Sequence, residues 1–164
     1  MSNNHIGKTL WMKSIAPAAN TSAGFEALTG TWTQITGANT LPVFGVSHNN
    51  IDVPDLATGF TSGVKGAGSG RDTQFAFRGI PLDAGQVAAI AAANDAQGIV
   101  SLKIVDGSGT DSGAGPAPVT GDAVEYAHGY LHSYEPNQGS DSTHEGGSIN
   151  FKQNAPTVAA TEPA

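Results

Sequence analysis

Three histidines in the second half of the chain are the first candidates for chemistry. His128 and His132 lie four residues apart, and His144 and Glu145 follow a short distance on. Imidazole and carboxylate groups are zinc ligands, so this spacing on a helix would suit one metal ion. The segment alternates with a period of two, however, and on a strand four residues span about 13 Å. The pattern therefore favours a half-exposed face of histidine and tyrosine over a metal site.

Two pairs of aspartates have a spacing that suits acid–base work or calcium binding. Asp52 and Asp55 form the first pair, and Asp106 and Asp111 form the second. The second pair lies in DGSGTDSG, which lacks the bidentate glutamate that closes an EF-hand loop. We therefore interpret both pairs as solvated carboxylates in turns.

The remaining candidates for catalysis lack the context that their chemistry needs. Ser101, Ser133 and Ser148 are not set in a G-x-S-x-G turn. The glycine-rich run at 66–70 lacks the GK[ST] ending of a phosphate-binding loop. The chain has no cysteine, which excludes thiolate nucleophiles, thiolate metal sites and disulfides. We predict no catalytic residue, no metal and no cofactor; a hydrolase that uses scattered carboxylates is the remaining enzymatic alternative.

Composition predicts a small β protein. The 164 residues are enough for one domain with a sizeable core. Glycine (22) and proline (9) are frequent and charged residues make up only 13%, which is typical of short strands joined by turns. The first residues contain no apolar signal segment, and no window approaches a transmembrane span. We expect a protein that is made in the cytoplasm and does not enter a membrane.

About seven strands and one helix are predicted to position these residues. The strand at 73–77 alternates apolar with polar side chains, and Asp83 has the position of a helix N-cap before apolar residues at helical spacing. The predicted fold class is mostly β, a β-sandwich or flattened barrel with one flanking α-helix over 1–153. Residues 154–164 have no packing pattern and are predicted to be a flexible tail. The other predicted strands are 8–15, 30–36, 43–48, 99–105, 123–135 and 148–153.

Two segments differ from this pattern. The strand at 43–48 is predicted to end at an Asn49-Asn50 turn, and the glycine-rich region 51–70 is predicted to be an extended hairpin arm that projects from the core. In the strand at 123–135, six residues fall on one face at period two, and we interpret its tyrosines as contact residues at a subunit surface. The six are Val124, Tyr126, His128, Tyr130, His132 and Tyr134.

Charge is distributed unevenly along the chain. Residues 1–94 carry no net charge, and residues 95–164 carry the whole net charge of −7. Proteins that hold nucleic acid use lysine and arginine to neutralise phosphates. Tight DNA binding is therefore disfavoured, whereas a surface that repels DNA is compatible with this composition.

A series of short motifs follows in a fixed order from residue 51 to residue 93. An IDV…L turn precedes a KG…G loop, an F.F.G strand and a DAGQ.A..AA helix, and GTWTQITG lies upstream. This series resembles the major tail tube proteins of long-tailed bacteriophages. The motifs lie at Ile51-Asp52-Val53 with Leu56, Lys65-Gly66 with Gly70, Phe75 to Gly79, Asp83 to Ala93 and Gly30 to Gly37.

The resemblance implies a structural, non-enzymatic subunit of a phage tail. In that family, copies of a β-sandwich form hexameric rings that stack into a tube, whose channel conducts DNA during ejection without binding it specifically. It also implies a virion protein that is assembled in the host bacterial cytoplasm, with tape measure, terminator and distal tail proteins as partners. The alternative is a virion-associated ligand- or glycan-binding β-sandwich, in which Trp11, Trp32 and the tyrosines stack on sugar rings.

Two sets of residues follow as candidates for assembly. Charged residues of the arm and of the strand after it are predicted to contact neighbouring subunits or rings. They are Asp52, Asp55, Lys65, Arg71, Asp72 and Arg78. Acids of the second half of the chain are predicted to face the channel and repel phosphate. They are Asp106, Asp111, Asp122, Glu125, Glu135 and Glu145.

Overall fold

The computed structural model describes residues 6–164, which contain nine strands and two helices. No helix in this range is long and apolar enough to cross a bilayer. The strands are β1 (Lys8–Lys13), β2 (Thr33–Ile35), β3 (Val46–Asp55), β4 (Phe60–Gly70), β5 (Asp72–Arg78), β6 (Ile99–Asp106), β7 (Ala123–Asn137), β8 (Gly146–Gln153) and β9 (Val158–Thr161). The helices are α1 (Ser22–Glu26) and α2 (Ala84–Asn94).

Seven of the strands form one antiparallel sheet that curls into a half-barrel. Its strand order is β2-β1-β6-β7-β8-β5, and β9 pairs with the first residues of β7. The chain beyond β2 returns to the far edge of the sheet, where Asn39 donates its backbone N–H to the carbonyl of Ala76 at 2.8 Å. The predicted fold class, a mostly β sandwich or flattened barrel with a flanking helix, is confirmed.

Two apolar clusters lie on the two faces of this sheet. On the inner face, Phe75, Phe77 and Phe151 form one cluster with the buried side of α2. On the other face, Phe25 of α1 stacks on Tyr126 of β7 with ring centroids 4.9 Å apart. All five side chains are at most 2% exposed, and burying each one contributes roughly 2 kcal/mol. Packing on both faces is what holds the curled sheet in shape.

Helix α2 is fixed to the sheet at its first turn. Asp83 is the N-cap, as predicted, and its side chain accepts the backbone N–H of Gln86 at 2.9 Å. The buried amide of Gln86 donates to the carbonyls of Thr36 and Arg78, each at 2.7 Å. Its oxygen accepts the N–H of Ile80 at 3.0 Å. One amide thus joins the helix to the chain at the ends of β2 and β5.

Strand β7 contains a β-bulge that the sequence pattern did not predict. Its register with β8 shifts after His132, and Ser133 has a left-handed φ of 54°. A bulge moves the following side chains to the other face of a sheet. Tyr134 therefore lies on the inner face, stacked on Phe77, and the prediction that six residues share one face is wrong for it. The prediction of a surface contact is wrong for Tyr126, which is buried.

The predicted arm is a two-stranded hairpin of β3 and β4, although its boundaries differ from the prediction. The two strands pair with each other in a sheet of their own. Strand β3 runs through the Asn49-Asn50 pair, which was predicted as a turn, and the glycine run at 66–70 lies in β4. The chain reverses at 56–59, where Gly59 has a φ of 66°. At the place of the predicted turn, the β3–β4 register shifts between His48 and Asn50, which is a local bulge.

The prediction of a flexible tail over 154–164 needs correction. Strand β9 pairs with β7, with Ala160 opposite Val124, and Val158 and Ala160 pack on the smaller apolar cluster. This four-residue strand contains only two side chains that face the core, so its alternation is too short to be recognised in the sequence.

Substitution of the N-cap tests how far Asp83 determines α2. Asp83→Ala removes the acceptor of the Gln86 N–H and should lower the free energy of unfolding by about 1 kcal/mol. Asp83→Asn is the matched control, because asparagine caps helices about as well as aspartate. Urea denaturation followed by circular dichroism measures both variants. Equal stability of Asp83→Ala and the unmodified chain would contradict this role.

Candidate assembly interface

The arm has an apolar face that the rest of the chain leaves exposed. In the β3–β4 register, Ile51 lies opposite Val64 and Asp55 lies opposite Phe60, so these side chains share one face. Ile51 is 53% exposed, Val64 is 52% and Phe60 is 75%. Leu56, in the turn at the tip, is 98% exposed. An amphipathic hairpin of this kind marks a surface for another molecule.

The tip of the arm is a defined turn. The Asp55 side chain accepts the backbone N–H of Ala57 at 2.8 Å, and its backbone carbonyl accepts the N–H of Gly59 at 2.9 Å. The N–H of Ala57, with further hydrogen bonds from Thr58, lowers the pKa of Asp55 below its ordinary value. The carboxylate therefore holds Leu56 at the end of the arm and stays charged.

The base of the arm is anchored to the end of β8. Arg71 donates its backbone N–H to Gly45 at 2.9 Å and accepts the N–H of Gln153 at 3.0 Å. The buried Gln153 side chain accepts the N–H of Gly45 at 2.9 Å, and Lys152 donates to the Gly70 carbonyl at 2.7 Å. These bonds fix the point at which the arm leaves the sheet.

Strand β5 is the last strand of the sheet, and only half of its outer edge is covered. Ala76 accepts the N–H groups of Asn39 and Thr40 there, and its own N–H donates to the Thr40 hydroxyl. Alternate residues of a strand direct their backbone groups to the same side, so Gln74 and Asp72 also direct theirs outward. Within residues 6–164 no strand pairs with that part of β5. It is an open edge of the kind that pairs with another chain.

The outer face of β5, β8 and β7 is polar. Gln74 donates to Asn150 at 3.3 Å, and His132 lies 3.2 Å from both carboxylate oxygens of Asp72. The pairing of Glu135 with Ser148 places that acid on the same face. Uncharged groups and charges of both signs alternate on this surface, which contains no large apolar side chain from β5 or β8.

The six predicted contact residues fall on two connected elements. Asp52, Asp55 and Lys65 lie on the arm, Arg71 lies at its base, and the other two lie on the edge strand. Those two are Asp72 and Arg78. All six are exposed. The structure therefore places five of them on the arm, at its base and at the open end of β5, whereas the backbone of Arg78 is already bonded to Gly37 and Gln86.

The six predicted channel acids do not form one surface. Asp122 accepts hydrogen bonds from the hydroxyl and the backbone N–H of Ser108 and from the backbone N–H of Val119. These bonds, that of the Ser108 hydroxyl first, lower the pKa of Asp122. Asp111 accepts two N–H groups of its own turn. These two acids shape the loop 107–122, and Asp106 precedes that loop at the end of β6. The remaining acids lie elsewhere: Glu125 on the inner-face side of β7, Glu135 on the outer face and Glu145 before β8.

The histidines are dispersed in the structure. His128 lies 3.3 Å from the Val100 carbonyl, His132 faces Asp72, and His144 lies 2.7 Å from the amide of Asn39. In the described part of the chain, no three histidine, aspartate or glutamate side chains are grouped as metal ligands.

A cluster of lysine and tryptophan was missed by the sequence reading. Lys103 pairs with Glu162 at 2.7 Å and lies over the rings of Trp11 and Trp32 at 5.5 and 5.3 Å. Lys13 also lies over Trp32, 5.0 Å from the centroid of its ring. Glu162 belongs to the segment predicted as a flexible tail, so the sequence offered no reason to pair it with Lys103. Ammonium groups already cover part of both indole rings. Less ring surface is therefore open for the sugar stacking that the glycan-binding alternative requires.

The pKa values in this cluster reflect burial. Burial, and then the charge of Lys103, lowers the pKa of Lys13. Burial, followed by the charges of Glu162 and Glu26, raises the pKa of Tyr126 to about 12.

Comparison with known proteins gives a likeness of fold and no match of sequence. No protein-family model and no curated protein matches the sequence. The fold is similar to that of the SPP1 tail tube, solved by solid-state NMR and cryo-EM, with a TM-score of 0.61 and 17% sequence identity. The likeness covers 96% of this chain and 78% of that chain. At this identity it concerns the fold, and it supports the resemblance to phage tail tube proteins that the motifs indicated.

The buried hydroxyl of Tyr126 should make stability depend on alkaline pH. The folded-state pKa of Tyr126 is raised above the ordinary value of 10. Its contribution to the free energy of unfolding is therefore complete below pH 10 and is lost as pH rises toward about 12. We expect the free energy of unfolding to fall less steeply over this interval in Tyr126→Phe than in the unmodified chain. Tyr130→Phe is the matched control, because it keeps the Tyr126 hydroxyl. Urea titrations at several alkaline pH values give the slopes, and identical slopes for all three proteins would refute the assignment.

Proposed function

We propose that this protein is the structural subunit of the tail tube of a long-tailed bacteriophage. In this proposal, hexameric rings stack into a tube whose channel conducts DNA during ejection. The observation that carries it is the likeness of 96% of the chain to the fold of a tail tube. The open edge and the exposed arm add support, because each is a surface that a tube subunit uses and an isolated protein must protect.

Ring closure uses the open edge of β5. The backbone groups of Asp72 and Gln74 face outward there, and a strand from a neighbouring subunit supplies their partners. A heterologous contact of this kind repeats around a ring until the rotation closes. The exposed charge of Asp72, at the open end of β5, sets the register of that pairing.

The channel is lined by the polar outer face of β5, β8 and β7. Asp72 and Glu135 are the acids on this face, and Lys152 and Arg78 are its bases, so their charges balance. A wall without excess positive charge does not hold phosphate groups, and DNA passes without specific binding. Of the six acids predicted to face the channel, Glu135 is the one that this arrangement places there. The acids of loop 107–122 instead contribute negative charge around the body of the subunit.

The arm reaches from one ring to the next. Its eleven-residue strand β4 spans about 35 Å, which is more than the height of a small β domain. The charged residues Asp52, Asp55 and Lys65 lie along it and contact the neighbouring ring. The subunit is non-enzymatic and assembles in the host cytoplasm. Its partners in the virion are further copies and the tape measure, terminator and distal tail proteins.

A proline in the open edge tests ring formation. Gln74→Pro removes one outward N–H from β5, so the isolated subunit should keep its fold while pairing with a neighbour is lost. We expect a folded monomer by circular dichroism and size-exclusion chromatography, and no rings or tubes by negative-stain microscopy. Gln74→Ala is the matched control, because it removes the side chain and keeps the N–H, and it should assemble.

The unmodified protein provides the decisive comparison for that experiment. At high concentration it should form rings or tubes of uniform bore. If it stays monomeric at every concentration, or if Gln74→Pro assembles as well as Gln74→Ala, the proposed ring contact is wrong.

A further inference from the structure

A cleft lies at the end of β5, where the segment 37–40 crosses from β2 to β5. It has a volume of about 230 Å³. Its walls are the start of β1, the end of β2, the last residue of β5 and the chain at 113–115. Lys8 and Arg78 both line it. We call it the Lys8–Arg78 cleft.

The cleft has two cations and no acid among the residues that line it. Within residues 6–164, no carboxylate lies at ion-pair distance from Lys8 or Arg78. Asp106 is opposite Lys8 in the β1–β6 register, and Glu145 lies one residue from the β8 partner of Arg78. Neither acid forms an ion pair with the cleft, and Asp83 nearby is engaged as the N-cap of α2. Both cations therefore retain the capacity to bind a carboxylate from another molecule.

The rim of the cleft is apolar. Ile80 packs against Gly37, where an added Cβ would lie 3.0 Å from the Ile80 Cδ1. Two residues on, Leu82 is 94% exposed, and its φ of 64° is a left-handed conformation that leucine rarely adopts. The Asp83 N–H closes this turn by donating to the Ile80 carbonyl at 3.2 Å. The turn thus presents Leu82 to solvent beside the cleft, where an apolar partner would bury it.

The tip of the arm has both chemical features. Asp55 shares a face with the exposed Phe60, and the fully exposed Leu56 follows it. Hydrogen bonds of the tip turn, that of the Ala57 N–H first, lower the pKa of Asp55 and keep it charged. Within residues 6–164 no cation lies at ion-pair distance from this carboxylate. The tip therefore offers a carboxylate beside apolar side chains, where the cleft offers two cations beside an exposed leucine.

The arm and the cleft lie at opposite ends of β5. Strand β4 leads into β5 through Arg71 alone, and Gly70 still lies beside Gln153 at the end of β8. The arm therefore leaves the sheet from the start of β5 and points away from Arg78, which ends the strand. The tip and the cleft are at most about 60 Å apart along β4 and β5. A contact between two different surfaces at opposite ends joins copies head to tail and repeats indefinitely.

We propose that the tip of the arm of one copy docks at the Lys8–Arg78 cleft of a copy in the next ring. Asp55 lies between the two cations, and Leu56 covers Leu82. This inference rests on the proposed tube and names the surface that receives the arm.

Charge exchange tests the docking site. Arg78→Glu puts a carboxylate at the cleft and Asp55→Lys puts an ammonium on the tip, so either change alone opposes like charges. Each single variant should form rings without tubes, whereas the double variant has opposite charges again and should form tubes. Asp55→Asn is the matched control for the tip, because asparagine keeps an acceptor for the Ala57 N–H and loses only the charge. It should form tubes at a higher protein concentration than the unmodified chain, as measured by negative-stain microscopy of a dilution series.

Engineered disulfides locate the contact independently, because the chain has no cysteine. The variant Leu56→Cys with Leu82→Cys places one thiol on the tip and one beside the cleft. Leu56→Cys with Ile15→Cys is the matched control, because Ile15 is 41% exposed and lies beyond the other end of β1 from Lys8. Each protein is assembled, mildly oxidised and run on a denaturing gel with and without reductant. The first variant should give a ladder of covalent oligomers that reductant collapses, and the control should stay at the single-chain position.

The unmodified chain decides the tube function, and the variants decide the docking site. A double charge variant that forms no more tubes than the single variants overturns the docking site and leaves the tube function standing. A disulfide ladder no stronger than that of the control has the same consequence. If the unmodified chain forms no rings or tubes, the proposed function fails and the docking site fails with it.

Discussion

An incompletely paired strand edge is the constraint on which the rest of the structure depends. Backbone N–H and C=O groups need partners, and the sheet provides most of them by curling until the segment 37–40 reaches β5. That segment covers Arg78 and Ala76, and within residues 6–164 no strand pairs with the outward side of Gln74 and Asp72. The sheet cannot curl further, because the Gln86 side chain of α2 holds the end of β2 and the end of β5 together through the carbonyls of Thr36 and Arg78. In the proposed ring, a strand from a second copy supplies the missing partners.

Local signals made part of this fold predictable from the sequence. The alternation of Phe75 and Phe77 and the N-cap at Asp83 each report on a few neighbouring residues, and the structure confirms both elements. The bulge at Ser133 was not predictable in this way. Its left-handed backbone is imposed by the pairing of β7 with β8, and nothing in the alternation of the strand marks it. Strand β9 was missed for a related reason, because its stability comes from contacts with β7 and not from its own four residues.

For the candidate assembly surfaces too, local sequence signals were informative, whereas contacts between distant segments were not predictable. The candidate contacts lie on the arm and the edge strand because charged, glycine-rich sequence is typical of segments that leave a core. The candidate channel acids were chosen from net charge, which carries no information about direction. Asp122 shows the difference, since its carboxylate accepts hydrogen bonds from Ser108 and Val119 and so has a structural role in its loop. Lys103 and Glu162 could be paired only once β9 was placed beside β7.

In the proposed tube, the arm couples the order of one subunit to the presence of another. A two-stranded hairpin alone in water is marginally stable, and here Ile51, Val64 and Phe60 expose the apolar face that would otherwise stabilise it. The hairpin is joined to the sheet at its base, through Arg71 and Lys152, and its tip is closed by the turn at Asp55. In the proposed stack of rings, burial of that apolar face against a second copy stabilises the hairpin. Under that proposal a free subunit lacks this part of its stability, and docking of the arm favours growth of the stack without any change in the fold of the sheet.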